Sequence, residues 1–153
     1  MPRLDATRIG VWRDLRVTIE DIARRVDEVL RDEWDISLGW FDVLASLQRL
    51  GGVARPLDIA ADLRVPASSI SRRLDRLEEE GWIARHRGTG DDLRAVDVEL
   101  TRTGRRLWRE MNVSFRRAVQ ANFAVHLDDD EIAALRGLID VLDEPGDDGG
   151  QDG

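Results

Sequence analysis

Three hydroxyls and three guanidiniums crowd into nine residues of this chain: Ser68, Ser69 and Ser71, then Arg72, Arg73 and Arg76. On a helical wheel at about 100° per residue, Ile70, Leu74 and Leu77 share one face. Ser68, Ser69, Arg72 and Arg76 fall on the opposite face and Arg73 at its flank. That pattern suits contact with a polyanion. Hydroxyls in a first helical turn stand where unsatisfied backbone N–H groups already favour anions. Arginines one turn later can reach guanine O6 and N7, each good pair being worth about 1–3 kcal/mol of discrimination. A second basic group follows. Arg85, Arg87 and Arg94 flank the turn-forming residues Gly88-Thr89-Gly90-Asp91, and an arginine carried on such a tip can enter a minor groove, where the potential is most negative. Asp92, two residues before Arg94, either orients that guanidinium through a charge-assisted bond or serves as an ordinary turn residue. Asp75, Glu78, Glu79 and Glu80 would repel phosphate, but they lie in the second half of the helix. Their position is compatible with insertion by the N-terminal end.

Other chemistries are poorly supplied. The 153 residues include no cysteine, which removes disulfides, thiolate zinc sites and cysteine nucleophiles together. Only two histidines occur, His86 in the basic hairpin and His126 near a helix end. No serine has an evident His-Asp partner and no Gly-rich phosphate loop exists, so neither catalysis nor a metal or cofactor is expected. No run approaches 18 apolar residues and the first ten lack an apolar signal core, so a cytoplasmic protein without membrane contact is expected. The net charge is −8, yet five of the 31 acids and no base lie in residues 143–153, leaving 23 basic residues against 26 acidic. Between Arg55 and Glu110 there are 12 arginines against 11 acids. The net charge therefore does not exclude nucleic acid. Every base is arginine, which fits both a phosphate-binding role and a GC-rich codon bias.

The elements that must position these residues can be read from period and punctuation. Ile9, Trp12, Leu15, Ile19, Ile22, Val26 and Val29 make a stripe with alternating steps of three and four after Trp12, close to a coiled-coil seam. Glu33 to Ser37 breaks it. Leu38 to Leu50 resumes a helical period that Gly51-Gly52 ends, and Pro56 opens a short helix through Leu63. Arg64-Val65-Pro66 is a tight turn into a helix from Ala67 to Glu80, stopped by Gly81. Val96, Val98 and Leu100 alternate with Asp97 and Glu99 as a strand whose partner is Trp82 to Arg87. Thr101 caps a fifth helix to about Val125, with Leu107, Met111, Phe115, Ala118 and Phe123 inward. Asp128 and Glu131 form a capping box for a last helix. A short helix, tight turn, longer helix and hairpin in that order is a winged helix-turn-helix.

At these residues the chain resembles the MarR family of transcriptional regulators. Ser68-Ser69-Ile70-Ser71-Arg72-Arg73-Leu74-Asp75-Arg76-Leu77-Glu78, then Gly81-Trp82-Ile83, is similar to that family's recognition helix and its exit into the wing. Asp92-Leu93-Arg94, followed by Val98-Glu99-Leu100-Thr101, is similar to its wing signature. Pro66 departs from the family, which often has a serine there, so one cap and one possible phosphate contact are missing.

The resemblance implies a single unit, mainly α with a small β-hairpin wing. Residues 5–32 and 102–142 would form N- and C-terminal dimerisation helices, 38–101 the winged helix-turn-helix, and 143–153 a disordered acidic tail. It implies a homodimer on a pseudo-palindromic double-stranded operator, with reading helices roughly 34–36 Å apart. The DNA-binding residues would be Ser68, Ser69, Arg72, Arg73, Arg76, Arg87, Asp92 and Arg94. It further implies a repressor that a small anionic aromatic molecule releases, with Trp12, Arg16, Phe41 and Phe115 as candidate linings. One branch of the family senses purine-like anions, and Trp12, Asp75 and Arg94 match its residues by type. The competing possibility is a winged-helix protein-interaction module without specific DNA binding.

Overall fold

A computed structural model describes residues 3–88 and 95–144. Helix α1 spans Ala6–Trp34, and Asp5 caps it by accepting from the Arg8 N–H at 2.8 Å. Its outer faces are laced by pairs one turn apart, Arg16 to Glu20 and Arg24 to Glu28. The helix continues past the expected break near Glu33 and stops at Asp35, which takes a left-handed φ of 54°. Trp34 carries the extra turn because its indole N–H donates to Ser114 Oγ at 2.9 Å, a tertiary bond that local periodicity does not display.

Helix α2 (Leu38–Arg49) is capped by Ser37 and buries Phe41, Val43, Leu44 and Leu47. Gly51 and Gly52 then take φ near +90°, a region open to glycine. Two residues, Val53–Ala54, form strand β1. This strand adds to the expected hairpin: β1 pairs with the later strand β3 (Val96–Leu100), placing Val53 opposite Glu99. β3 also pairs with β2 (Ile83–Arg87), so the sheet is antiparallel with order β1-β3-β2. Helix α3 (Pro56–Leu63) begins on proline, and Arg64 closes it in the left-handed region. Helix α4 (Ala67–Glu79) follows, and Gly81 turns the chain out at φ +75°.

One core serves all of these elements. Leu30, Ile36, Phe41, Leu44, Leu47, Ile59, Ile70, Leu74, Leu77, Ile83, Val98, Leu100 and Met111 are buried together. Each such side chain contributes about 1.5–3 kcal/mol relative to remaining exposed. The core anchors α4 by its apolar face and leaves its polar face outward.

Helix α5 (Arg102–Asn122) starts at Thr101, whose hydroxyl accepts from the Gly104 N–H at 3.0 Å and donates to the Gly81 carbonyl at 2.7 Å. Phe123 leaves the helix, and a 3-10 turn (Ala124–His126) leads to α6 (Asp129–Asp143), which carries the Asp128–Glu131 capping box. The acidic segment was expected to leave the fold at residue 143. Instead Asp143 ends α6, and its carboxylate receives two bonds from Arg64, one of 2.8 Å. Residues 145–153 lie outside the described residues. No helix is long and apolar enough to cross a membrane among the described residues.

Candidate nucleic-acid interface

Helix α4 presents the surface its wheel predicts. Ile70, Leu74 and Leu77 are buried, whereas Ser68, Arg72 and Arg76 are exposed. The Arg72 guanidinium forms no hydrogen bond or ion pair with any described residue and stands free for an external acceptor. Arg76 lies over the Trp40 ring at 5.4 Å and pairs with Glu80 at 3.1 Å. An aromatic base beneath a guanidinium limits its swing while leaving its N–H edge available. Pro66 supplies no side-chain cap, and the half-buried Ser69 turns its hydroxyl back to the Pro66 carbonyl at 2.8 Å. Ser68 therefore keeps the freer hydroxyl.

Arg73, at the flank of the wheel, is half-buried and donates to the Gly39 carbonyl at 3.3 Å, a contact that braces α4 against α2. Gly39 makes the room: a Cβ there would meet the guanidinium carbon at 3.2 Å. Beside it, burial pushes the Asp42 carboxyl above its ordinary pKa, against the pull of Arg73 and Arg49.

The acids of α4 are partly answered from the wing. Arg85, half-buried on β2, donates to Asp75 at 2.6 Å and stands 3.9 Å from Glu78. Its charge neutralises the helix's own carboxylates, which lowers their repulsion of an incoming phosphate. Arg87 is exposed at the outer end of β2, opposite Val96. With Pro56, Ser71, Leu74 and Glu78 it borders an open cleft of about 440 Å³ between α4 and the wing. Asp92 and Arg94 lie outside the described residues.

The four candidate effector residues do not converge. Phe41 is 1% exposed and stacks on the partly buried Phe115 with ring centroids 4.6 Å apart. Trp12 is 65% exposed near the start of α1, with the Arg16 guanidinium 5.6 Å from its ring centre. It borders a separate apolar cleft with Val11, Leu15 and Leu142. Asp75, one of the residues matched to purine sensing, is engaged by Arg85.

A model described as the MarR family matches residues 34–95. The regulator YwoH of Bacillus subtilis (strain 168), an uncharacterised HTH-type transcriptional regulator, is 31% identical over 112 residues, which is 73% of this chain and 79% of YwoH. The chain belongs to the MarR family. The HTH-type transcriptional regulator PecS of Dickeya dadantii is 38% identical over 85 residues, 54% of this chain, and the match spans only 50% of PecS. A solved structure of a MarR mutant from E. coli complexed with operator DNA superposes with TM-score 0.77 at 27% identity, over 92% of this chain and 99% of that one. These relatives are transcriptional regulators, not enzymes.

Within this MarR-family chain, two features of the site escaped sequence reasoning. Trp40 beneath Arg76 unites residues 36 positions apart, and no local pattern announces such a pair. Arg85, grouped with the arginines that flank the wing tip but not with the DNA-binding residues, turns inward to Asp75 and Glu78. The Asp75 and Glu78 spacing on one helical face is a signal that could have assigned it inward.

Proposed function

We propose that this protein is a sequence-specific double-stranded DNA-binding transcriptional regulator that acts as a homodimeric repressor. The observation that carries this reading is the unpaired Arg72, exposed with Ser68 on the outer face of a helix whose inner face is locked in the core. Arg76 and Arg87 extend the same basic surface, while Asp75 and Glu78 are engaged by Arg85. In this reading α4 enters a major groove by its N-terminal half, and the wing follows the backbone toward the minor groove.

Dimerisation is supported by apolar surface that one copy leaves uncovered. Ile9, Trp12, Leu15 and Ile19 on α1 are exposed, as are Leu138, Ile139 and Leu142 on α6. Contiguous apolar patches of this kind mark interaction sites. A second copy laid on them would pair the two reading heads on a pseudo-palindromic operator. For release by a small anionic aromatic molecule, Trp12 offers a stacking face and Arg16 a cation beside it. Such a molecule acts only if it binds better to a dimer whose heads are misspaced.

The test is a gel shift with duplex DNA from upstream of the gene, comparing wild type with Arg72→Ala. Specific binding by wild type and its loss in the variant are expected. Equal weak binding by both would instead favour a protein-interaction module. Effector action is tested by a thermal-shift screen of phenolic and purine-like anions read beside DNA release.

A further inference from the structure

Most arginines of this chain are held by acids, a carbonyl or a ring: Arg8, Arg24, Arg31, Arg49, Arg64 and Arg85 are examples. Arg72 and Arg87 at the reading surface pair with no described residue. Neither do Arg102, Arg105, Arg106 and Arg109 on α5, with Arg116 further along the same helix. The four fall within an arc of about 100°, opposite Met111, Ser114 and Ala118. They are exposed and, with Leu100 and Glu99, line an open cleft of about 590 Å³. Glu99 is held by His86 Nε2 at 2.9 Å, and Glu110 stands at the edge of the arc.

Nothing within the fold favours this arrangement. Cations in the first turns of a helix oppose its dipole, and like charges three or four residues apart repel. In a chain of net charge −8 acids are plentiful, yet among the described residues none pairs with these four: Glu99, in the same cleft, is taken by His86, and Glu110 stands beside the arc. Local conflict of this kind marks a surface whose partner comes from outside. Planar guanidinium forks match phosphate bidentately.

We infer that this face of α5 binds the phosphate backbone of duplex DNA flanking the stretch read by α4, an inference that rests on the DNA-binding reading above. The face begins where Thr101 Oγ1 meets the Gly81 carbonyl, beside the C-terminal end of α4. It lies about 20 Å from the helix's reading end. The five residues of β3 set it about 13 Å from Val96 at the outer end of that strand. Flanking backbone reaches it when the duplex curves toward the base of the wing. Arg102 to Arg109 rises about 10 Å along the axis, and duplex DNA carries one charge per roughly 1.7 Å, so several phosphates come within reach of the stripe.

The experiment measures fluorescence anisotropy on a duplex covering only the two half-sites, and on the same duplex lengthened at each end by about 15 base pairs, one and a half turns. Salt is titrated for the full-length wild type and for the variant Arg102→Gln/Arg105→Gln/Arg106→Gln/Arg109→Gln. Wild type is expected to gain affinity from the flanks and to steepen its log–log salt slope by about 2–4, the effect of one or two phosphates at each of two faces. The variant is expected to bind the short duplex as wild type does and to gain nothing from the flanks. Arg106→Gln/Arg109→Gln leaves Arg105 in place against Gly52 and guards against a folding defect; about half the change is expected. A flank gain retained in the quadruple variant overturns the inference. So does an effect of the substitutions that vanishes when residues 145–153 are deleted, because the acidic tail is then the occupant. Wild type failing to bind the short duplex would overturn the DNA-binding reading as well, whereas loss confined to the flanked duplex leaves that reading standing.

Discussion

Replacing Arg72 by alanine separates recognition from folding more cleanly than any other change in α4. The side chain is exposed and touches no described acid, so its removal should leave the melting temperature within about 1–2 °C, the scale of a neutral surface change. A bidentate guanidinium–guanine pair discriminates by about 1–3 kcal/mol. Two half-sites double that to about 2–6 kcal/mol, or roughly 30-fold to 20,000-fold in specific affinity. The neighbouring Arg73 supplies the contrast. Its guanidinium holds the Gly39 carbonyl beside the half-buried Asp42, so Arg73→Ala should lower folding stability by about 1–2 kcal/mol and leave the specific-to-nonspecific ratio unchanged. The assay is anisotropy at fixed salt on the operator and on a scrambled duplex of equal length, with thermal melts alongside. An Arg72→Ala protein that keeps the wild-type ratio, or an Arg73→Ala protein that loses it, would refute the assignment of faces on α4.

Gly104→Ala should destabilise the fold by about 3 kcal/mol or more, because its Cβ would stand 2.0 Å from the Trp82 carbonyl oxygen; calorimetry reads this as a fall of about 6–12 °C. Asp42 provides a pH signature. Burial raises its folded pKa above the ordinary 3.8, so the native state binds the extra proton and stability declines as pH climbs from 3.8 through the raised value. Asp42→Asn should remove that decline, and urea melts across pH 4 to 7 in which both proteins share one slope would contradict it. Leu138 and Leu142 are 62% and 75% exposed, so Leu138→Asp/Leu142→Asp should fold yet sediment as a single subunit at micromolar concentration and bind the operator weakly. A dimer that persists would move the interface elsewhere.

Elements with a strong period or cap were legible from residue order. The stripe of Ile70, Leu74 and Leu77, the Thr101 cap and the Asp128–Glu131 box are all decided within a few residues of chain, and all formed where expected. What escaped was decided across distance. β1 is two residues long, too short to show alternation, and exists because β3 offers it an edge. Arg73 sits at the flank of the wheel, where angle alone leaves both directions open, and the small residue at Gly39 admits it inward. Phe41 and Phe115 are 74 residues apart, and their stacking on one another is a tertiary contact that no local pattern displays. Among the named DNA-binding residues, Ser68, Arg72, Arg76 and Arg87 stand exposed, while Ser69 and Arg73 are partly turned to the protein.

The two hydrogen bonds of the Thr101 hydroxyl have a mechanical consequence. By tying the Gly81 carbonyl, just past the end of α4, to the first turn of α5, they couple that helix to a rod of 21 residues. That rod is about 31 Å long. Tilting its far end by roughly 5° sweeps the near end through about 2.7 Å, close to one base-pair step of about 3.4 Å along the duplex. In the proposed DNA-bound dimer, gearing of this kind would convert a slight lean among distant helices into a loss of register at the grooves.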